Sequence, residues 1–377
     1  ALQLTKWGTQ PKDLAFLTSP PQNSWTQAQD LLYQLGAITD GKLSPHGAKL
    51  AELPLHPRVA QMLVEAGPTA APLAALLSNR DVLISREADL TPALQALSNN
   101  SPNPQIRDYE ALKRIKIEAS RLVKLTPKKS NLIKHTYAQC LALAYPERVA
   151  QRRPGTQPRY VMANGKGVVL ENDDGLANAS FLVISELGNP HRSSGADPTV
   201  RRALPISLAE IREIFGAQIK WLETCRWSKR NRKVLSIRTE SLGSISLATE
   251  NWAQVPIQAV SMAMLDGIRQ MGLDLPKAAQ LLQSRATIGA SDQFPDISNE
   301  GLMRSLEDWL TPYISKISNA EEWKKFDPLP ALQTYIGWAN LKLLETTAPP
   351  HFITPLGNKV IIDYSGDSPS ITLRIQE

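Results

Sequence analysis

The chain of 377 residues is poor in several things that would define a chemistry. It has two cysteines, Cys140 and Cys225, with no CxxC and no nearby histidine, which argues against a zinc site and against a disulfide framework. They read as small buried hydrophobes. Its five histidines, His46, His56, His135, His191 and His351, are scattered, so neither a metal site nor a Ser/His/Asp set is advertised. No apolar run reaches the roughly 18 residues needed to cross a bilayer, and no basic-then-apolar signal opens the chain, so a cytoplasmic location without membrane insertion is expected.

A phosphate cradle is missing as well. No GxxxxGK[ST] string occurs, since Gly41-Lys42-Leu43 and Gly165-Lys166-Gly167 lack the spaced first glycine, and no acidic metal-binding run follows a buried strand. The chain by itself is therefore expected to have no catalytic residues, no metal, no cofactor and no ATP hydrolysis. Carboxylate pairs such as Glu307-Asp308 and Asp173-Asp174 are explained by solvation at a helix and a turn.

What is present is an uneven charge on a net of +6. Residues 1–147 carry 16 Lys and Arg against 12 acids, 148–240 carry 16 against 9, and 241–377 carry 10 against 15. A polyanion should meet the first two thirds, and the tail should face something else.

Four parts follow from the patterning. Ala1 to Trp7 reads as the end of a helix without a start, so the chain looks like a fragment. A short helix over 11–17 and the Ser19-Pro20-Pro21 turn lead to an amphipathic helix from Ser24 to Leu35. A hairpin at Asp40-Gly41 and a second helix, with Ser44 as N-cap and Pro45 at its first position, complete a helix, wing, helix plan over 1–55. Residues 56–146 are helical throughout, a bundle with Val59, Met62, Leu63, Leu73, Leu76 and Leu77 at helical spacing. Its helix from Ile106 to Leu125 has Leu112, Ile115, Ala119, Leu122 and Val123 on one face and Lys113, Arg114, Lys116, Arg121 and Lys124 opposite. That basic face is either a solvated exterior or a phosphate track.

From 147 to 220 the period changes to short β runs, 159–162, 167–170 and 180–184, with Asn164-Gly165 as a hairpin turn and a helix over 208–215. These fit a small barrel of the oligonucleotide-binding (OB) type. Arg148, Arg152, Arg153 and Arg159 enter it, and Arg226, Lys229, Arg230, Arg232 and Lys233 leave it. Residues 221–377 mix strands over 234–238 and 244–247, helices over 256–271, 276–287, 299–310 and 329–345, and two last strands, 359–364 and 370–375, an α+β domain. Trp309, Trp323 and Trp338 are expected in its core.

Two stretches point further. Leu32-Tyr33-Gln34-Leu35-Gly36-Ala37-Ile38 with Gly41-Lys42-Leu43-Ser44-Pro45-His46-Gly47 and Leu53-Pro54-Leu55-His56-Pro57-Arg58 stand near the start. Phe294-Pro295-Asp296-Ile297-Ser298, Leu306-Glu307-Asp308-Trp309-Leu310-Thr311-Pro312-Tyr313, Pro355-Leu356-Gly357-Asn358-Lys359, Ile362-Asp363-Tyr364 and Arg374-Ile375-Gln376-Glu377 stand near the end. Together with Tyr145-Pro146-Glu147-Arg148-Val149-Ala150, they resemble the part of HrpB-type bacterial DEAH-box RNA helicases that follows the motor core.

The resemblance implies a winged helix, a helical ratchet, an OB-like barrel and a C-terminal α+β domain. It also implies ATP and Mg binding in two RecA-like domains of the same polypeptide, absent from this chain, and further residues beyond its end. The chain would then be an accessory region, inactive alone, that binds and guides single-stranded RNA. Its expected contacts are Arg152, Arg153, Arg159 and Lys166 at the barrel, where no acid stands between 148 and 170, and Lys113, Lys116 and Lys124 on the helix. Two other readings stay open: a freestanding nucleic-acid-binding protein, and a protein-interaction scaffold whose acidic C-terminal domain docks a partner. Duplex reading is disfavoured because the helix 24–35 carries Gln27, Gln29, Asp30 and Gln34 and no Lys or Arg.

Overall fold

The computed structural model describes residues 1–79, 82, 87–99, 106–126, 134–188, 197–289, 294–366 and 368–373. By compactness the chain divides into two units, 1–220 with 240–248, and 221–239 with 249–377.

The first unit opens with α1 (Leu2–Trp7). A helix over 11–17 does not form; only a single 3₁₀ turn, Pro11–Asp13, is present, closed by Asp13 accepting from the Gln10 amide at 2.9 Å. Leu14, Phe16 and Leu17 are exposed, so a helix there would bury no apolar face to offset its nucleation. Next come α2 (Gln22–Gln34), β1 (Ile38–Thr39), β2 (Lys42–Leu43) and α3 (Pro45–Glu52). Asp40 and Gly41 both take positive φ, 50° and 73°, as a two-residue hairpin turn of the primed type requires. Ser44 Oγ accepts from the Gly47 amide at 2.9 Å, the N-cap expected of it.

Five helices follow: α4 (Pro57–Ala66), α5 (Ala71–Leu77), α6 (Thr91–Ser98), α7 (Tyr109–Leu125) and α8 (Tyr137–Ala144). Met62, Leu63, Leu73, Ala74 and Leu141 are fully buried in one core with Leu32 and Leu50. The many alanines of α4, α5 and α8 let these helices bury all round, as inner helices must.

The β part comprises β3 (Val149–Arg152), β4 (Arg159–Met162), β5 (Gly167–Val169), β6 (Phe181–Leu187) and β7 (Val200–Pro205) in the order β5-β4-β3-β6-β7, every neighbouring pair antiparallel. The sheet curls until its edges touch. Val169 forms a parallel bridge with Thr199, and its amide donates to the Pro198 carbonyl at 3.1 Å. Alternation sorts the two faces: Ala150, Tyr160, Met162, Val168 and Ile184 make a small inner core, while Val149, Val183 and Leu204 join the helical core. Helix α9 (Leu208–Phe215) adds Ile211 and Phe215 to the latter.

A meander of β8 (Lys220–Ser228), β9 (Lys233–Leu242) and β10 (Ile245–Asn251) comes next, in the order β10-β9-β8. The tip of its second hairpin, 240–248, counts with the first unit and its base with the second. The second unit continues with α10 (Ile257–Met271), α11 (Lys277–Gly289), α12 (Asn299–Arg304), α13 (Leu306–Leu310), α14 (Ala320–Lys325), α15 (Leu329–Ile336) and α16 (Trp338–Thr347). A short pair, β11 (His351–Ile353) and β12 (Lys359–Ile361), closes the elements.

Two expected helices are broken here. The helix over 299–310 stops at Ser305, and the Leu302 carbonyl receives the Trp309 indole N–H at 3.0 Å. The helix over 329–345 breaks at Gly337, whose φ of 83° no regular helix allows. Trp309 and Trp323 lie in the core, but Trp338, at the start of α16, is 75% exposed with the Lys342 ammonium 5.2 Å from its ring centre. The expected strand over 370–375 reduces, in its described part, to one bridge between Ser370 and Asp363; residues 374–377 lie outside the described residues, as does His191. No described helix is long and apolar enough to cross a membrane.

Candidate nucleic-acid interface

The basic residues expected at the barrel occupy two different places. The turn between β4 and β5 is a three-residue loop in which the Gly165 amide donates to the Met162 carbonyl at 2.8 Å and Gly165 takes φ 84°. Lys166 is exposed at that turn. Arg152, Arg153 and Arg159 sit at the opposite end of β4, about 10 Å away along three residues of strand. There the Arg153 amide donates to the Arg159 carbonyl at 2.7 Å, which sets both exposed guanidinium groups beside the same loop.

Arg152 behaves differently from its neighbour. It is half-buried, and its Nε donates to the Ala177 carbonyl at 2.9 Å. Beside it the Tyr160 hydroxyl lies 2.9 Å from the carbonyl oxygens of Leu176 and Ala179, and burial pushes that hydroxyl up to about 12. Arg152 thus braces the 176–180 segment against the sheet.

The basic face of α7 is compensated in part, and Arg114 on it is exposed. Lys113 pairs with Glu110 at 2.7 Å, and Arg121 donates twice to Glu118, at 2.8 and 2.7 Å, which holds the Glu118 carboxyl below its usual range. Lys116 donates to the Asn99 carbonyl at 3.2 Å. Lys124 is exposed near the helix end. Leu112, Ile115 and Leu122 are buried as the wheel requires; Val123, expected with them, is exposed.

The LPLHPR segment is structural. Arg58 donates from Nη2 to Glu147 Oε1 at 2.8 Å and from Nη1 to Glu147 Oε2 at 3.0 Å and the Ala144 carbonyl at 2.9 Å. Its guanidinium and that of Arg148 lie 5.0 and 4.9 Å from the Tyr145 ring centre. His56 is the N-cap of α4, accepting from the Arg58 amide at 3.3 Å.

A cavity of about 320 Å³ in this unit is lined by Leu94, Tyr137, Leu204 and Glu210, among others. Its polar groups face each other: Thr136 Oγ1 donates to Glu210 at 2.6 Å. Among the described residues no three His, Cys, Asp or Glu side chains converge as a metal would need.

Sequence reasoning assigned no role to the cations from Arg226 to Lys233, which it saw only as a basic flank. All five are exposed, on and around the β8–β9 turn, and none forms an ion pair with a described carboxylate. The signal was the run itself, five positive residues in eight with no acid among them.

Set beside known proteins, the chain is similar to parts of several helicases. Residues 309–377 match the family described as ATP-dependent helicase C-terminal, HrpB_C. The whole chain is 28% identical, over 390 aligned residues, to the ATP-dependent RNA helicase HrpB of Escherichia coli K12, covering 46% of that protein. A shorter similarity, 46% over 54 residues, links it to the human probable ATP-dependent RNA helicase DHX35, covering 14% of this chain and 8% of that one. Two solved structures of the E. coli protein, titled DExH-box NTPase HrpB and DEAH/RHA helicase HrpB, superpose with TM-score 0.54 at 27% and 26% identity, each over 100% of this chain and 46% and 47% of theirs. The chain spans less than half the length of the curated relatives it matches. The resemblance to HrpB-type helicases read in the sequence therefore holds along the whole chain.

Proposed function

We propose that this chain is the accessory region of a cytoplasmic ATP-dependent RNA helicase of the DEAH-box, HrpB-like type. It binds and guides single-stranded RNA for RecA-like domains carried elsewhere in the same polypeptide, where ATP and Mg are bound. The observation that carries this reading is the end-to-end similarity to the E. coli helicase.

In this reading residues 1–55 are a winged helix, 56–146 a ratchet, 147–220 an OB-like barrel and 221–377 a C-terminal α+β domain. The hairpin between α2 and α3 supports the first assignment. The strand order β5-β4-β3-β6-β7, with its edges meeting at Val169 and Thr199, supports the third. RNA is contacted by Arg153, Arg159 and Lys166, and by Lys124 on α7. Arg152, Lys113 and Lys116, already engaged with protein groups, contribute less. The acidic stretch 249–377 is left for a protein partner.

Fluorescence anisotropy of a labelled oligouridylate with the 377-residue chain tests the proposal. Weak, sequence-indifferent binding is expected, with a log-log salt slope of about −0.7 for each phosphate neutralised. Isothermal titration with a Mg-ATP analogue should give no heat. Salt-independent affinity, or a micromolar ATP site, overturns it.

A further inference from the structure

We infer that the β8–β9 hairpin of the second unit is an additional binding site for the phosphate backbone of single-stranded RNA, formed by Arg226, Lys229, Arg230, Arg232 and Lys233. The inference rests on the RNA-guiding reading and extends it to the unit whose acidic stretch 249–377 that reading leaves for a protein partner.

Charge within the second unit is segregated. Residues 221–239 carry six Lys and Arg against one acid, whereas 249–377 carry ten against fifteen. The positive excess is therefore confined to two strands and their turn.

The faces of the hairpin sharpen this separation. Cys225 Sγ lies 3.5 Å from Ser236 Oγ, and the Arg238 guanidinium lies 4.6 Å from the Trp221 ring centre. These contacts put Trp221, Glu223, Cys225 and Trp227 on one face, where Trp227 is buried against Gly267. Strand alternation then sends Arg226 to the other face, with Lys233 across from Ser228. Glu223, the one acid, projects away from Arg226. Arg238, on the Trp221 face, is neutralised by Glu250.

The turn is also held stiffly. Arg232 adopts φ 50°, the Asn231 amide donates to Ser228 Oγ at 3.2 Å, and the Arg232 carbonyl accepts from the Ala320 amide at 3.0 Å. The Val234 amide donates to the Ser318 carbonyl at 2.7 Å. Glu322, on the helix that begins there, spends its carboxylate on the Ser318 amide and hydroxyl, at 2.7 and 3.1 Å. Five charges are thus displayed on a backbone that does not need ordering when a ligand arrives, so the entropy cost of binding falls mainly on side chains.

Elsewhere the cations are dispersed or spent, as on α7 and at Arg152. Charges strung along an exposed hairpin suit an extended polyanion tracked by charge and not a compact anion or a read base.

The test uses the 377-residue chain and a fluorescein-labelled 20-nucleotide oligouridylate across a salt series. Replacing Lys229, Arg230 and Lys233 by Ala should weaken binding about tenfold or more near 0.1 M salt. It should also reduce the salt slope by about 2, at about 0.7 for each lost contact. A charge-keeping variant, Lys229→Arg with Arg230→Lys and Lys233→Arg, should bind as the parent does, and both should melt where the parent melts. If the alanine variant keeps the parent's affinity and slope while Arg153→Ala with Arg159→Ala loses both, the hairpin is not an RNA site and the guiding reading survives. If the parent chain itself binds no oligouridylate, the guiding reading fails and this inference with it.

Discussion

The side-chain amide of Gln151 pairs with the backbone of Ser246 as one strand pairs with another. Its Nε2 donates to the Ser246 carbonyl, and its Oε1 accepts from the Ser246 amide at 3.0 Å. A residue on β3 thereby extends hydrogen bonding from the curled sheet to the tip of the β9–β10 hairpin without any main-chain ladder between them.

Replacing Gln151 by Leu keeps the volume and removes both bonds. The Ser246 backbone loses these partners, and the expected cost is about 1–3 kcal/mol of stability. Urea denaturation of the variant should show a lower midpoint with an unchanged slope; an unchanged midpoint would mean that water replaces the amide without loss.

Two hairpin tips interlock beside that contact. The Ser244 amide donates to the Ala163 carbonyl at 2.8 Å, and a Cβ on Gly243, at φ 57°, would stand 2.3 Å from the same oxygen. Gly243→Ala must therefore move backbone and should cost about 2 kcal/mol or more. Gly41, at φ 73° with open space around it, should accept Asn with little loss. Thermal melts of the two variants check the contrast.

Arg152 and Arg153 are adjacent and should respond oppositely. Arg152→Ala removes the bond to Ala177 beside Tyr160 and should lower the melting temperature by a few degrees. Arg153→Ala should leave melting unchanged and weaken oligouridylate binding. The pair of measurements separates a brace from a contact.

The neutral His56 imidazole accepts the helix-capping bond, and burial first, then Arg58 and Arg148, hold its pKa below the usual value. The unfolded chain thus takes up the proton first. The stabilisation is present above about pH 6.5 and is lost as pH falls through the folded value. Comparing urea midpoints at pH 7.5 and 5.5, His56→Asn, which keeps a capping acceptor that does not titrate, should show the smaller drop.

Local elements with strong chemistry were legible in the sequence. Ser44 with Pro45 started α3, Asn164-Gly165 turned β4 into β5, and the limits of α9 follow from its period. What escaped detection depends on tertiary context. The break at Ser305 goes with a side-chain bond, the Trp309 indole to the Leu302 carbonyl, that no periodicity announces, and β8 lacks a clean alternation because Trp221 and Leu222 are both exposed. At the candidate site, charge type was readable but charge partners were not. Arg152 and Arg153 look alike in sequence, and only the fold shows that one of them is already committed to a carbonyl.

Arg58 occupies the seam between α4 and the start of the sheet, gripping the end of α8 through Ala144 and the approach to β3 through Glu147. A planar fork that meets a carboxylate on two prongs and lies against a ring leaves little room for shear. Helix and sheet are keyed together like parts of one lever, so a push on α4 reaches β3 as displacement and is not absorbed as slack. A lysine in its place would leave the joint loose while the charge stayed the same.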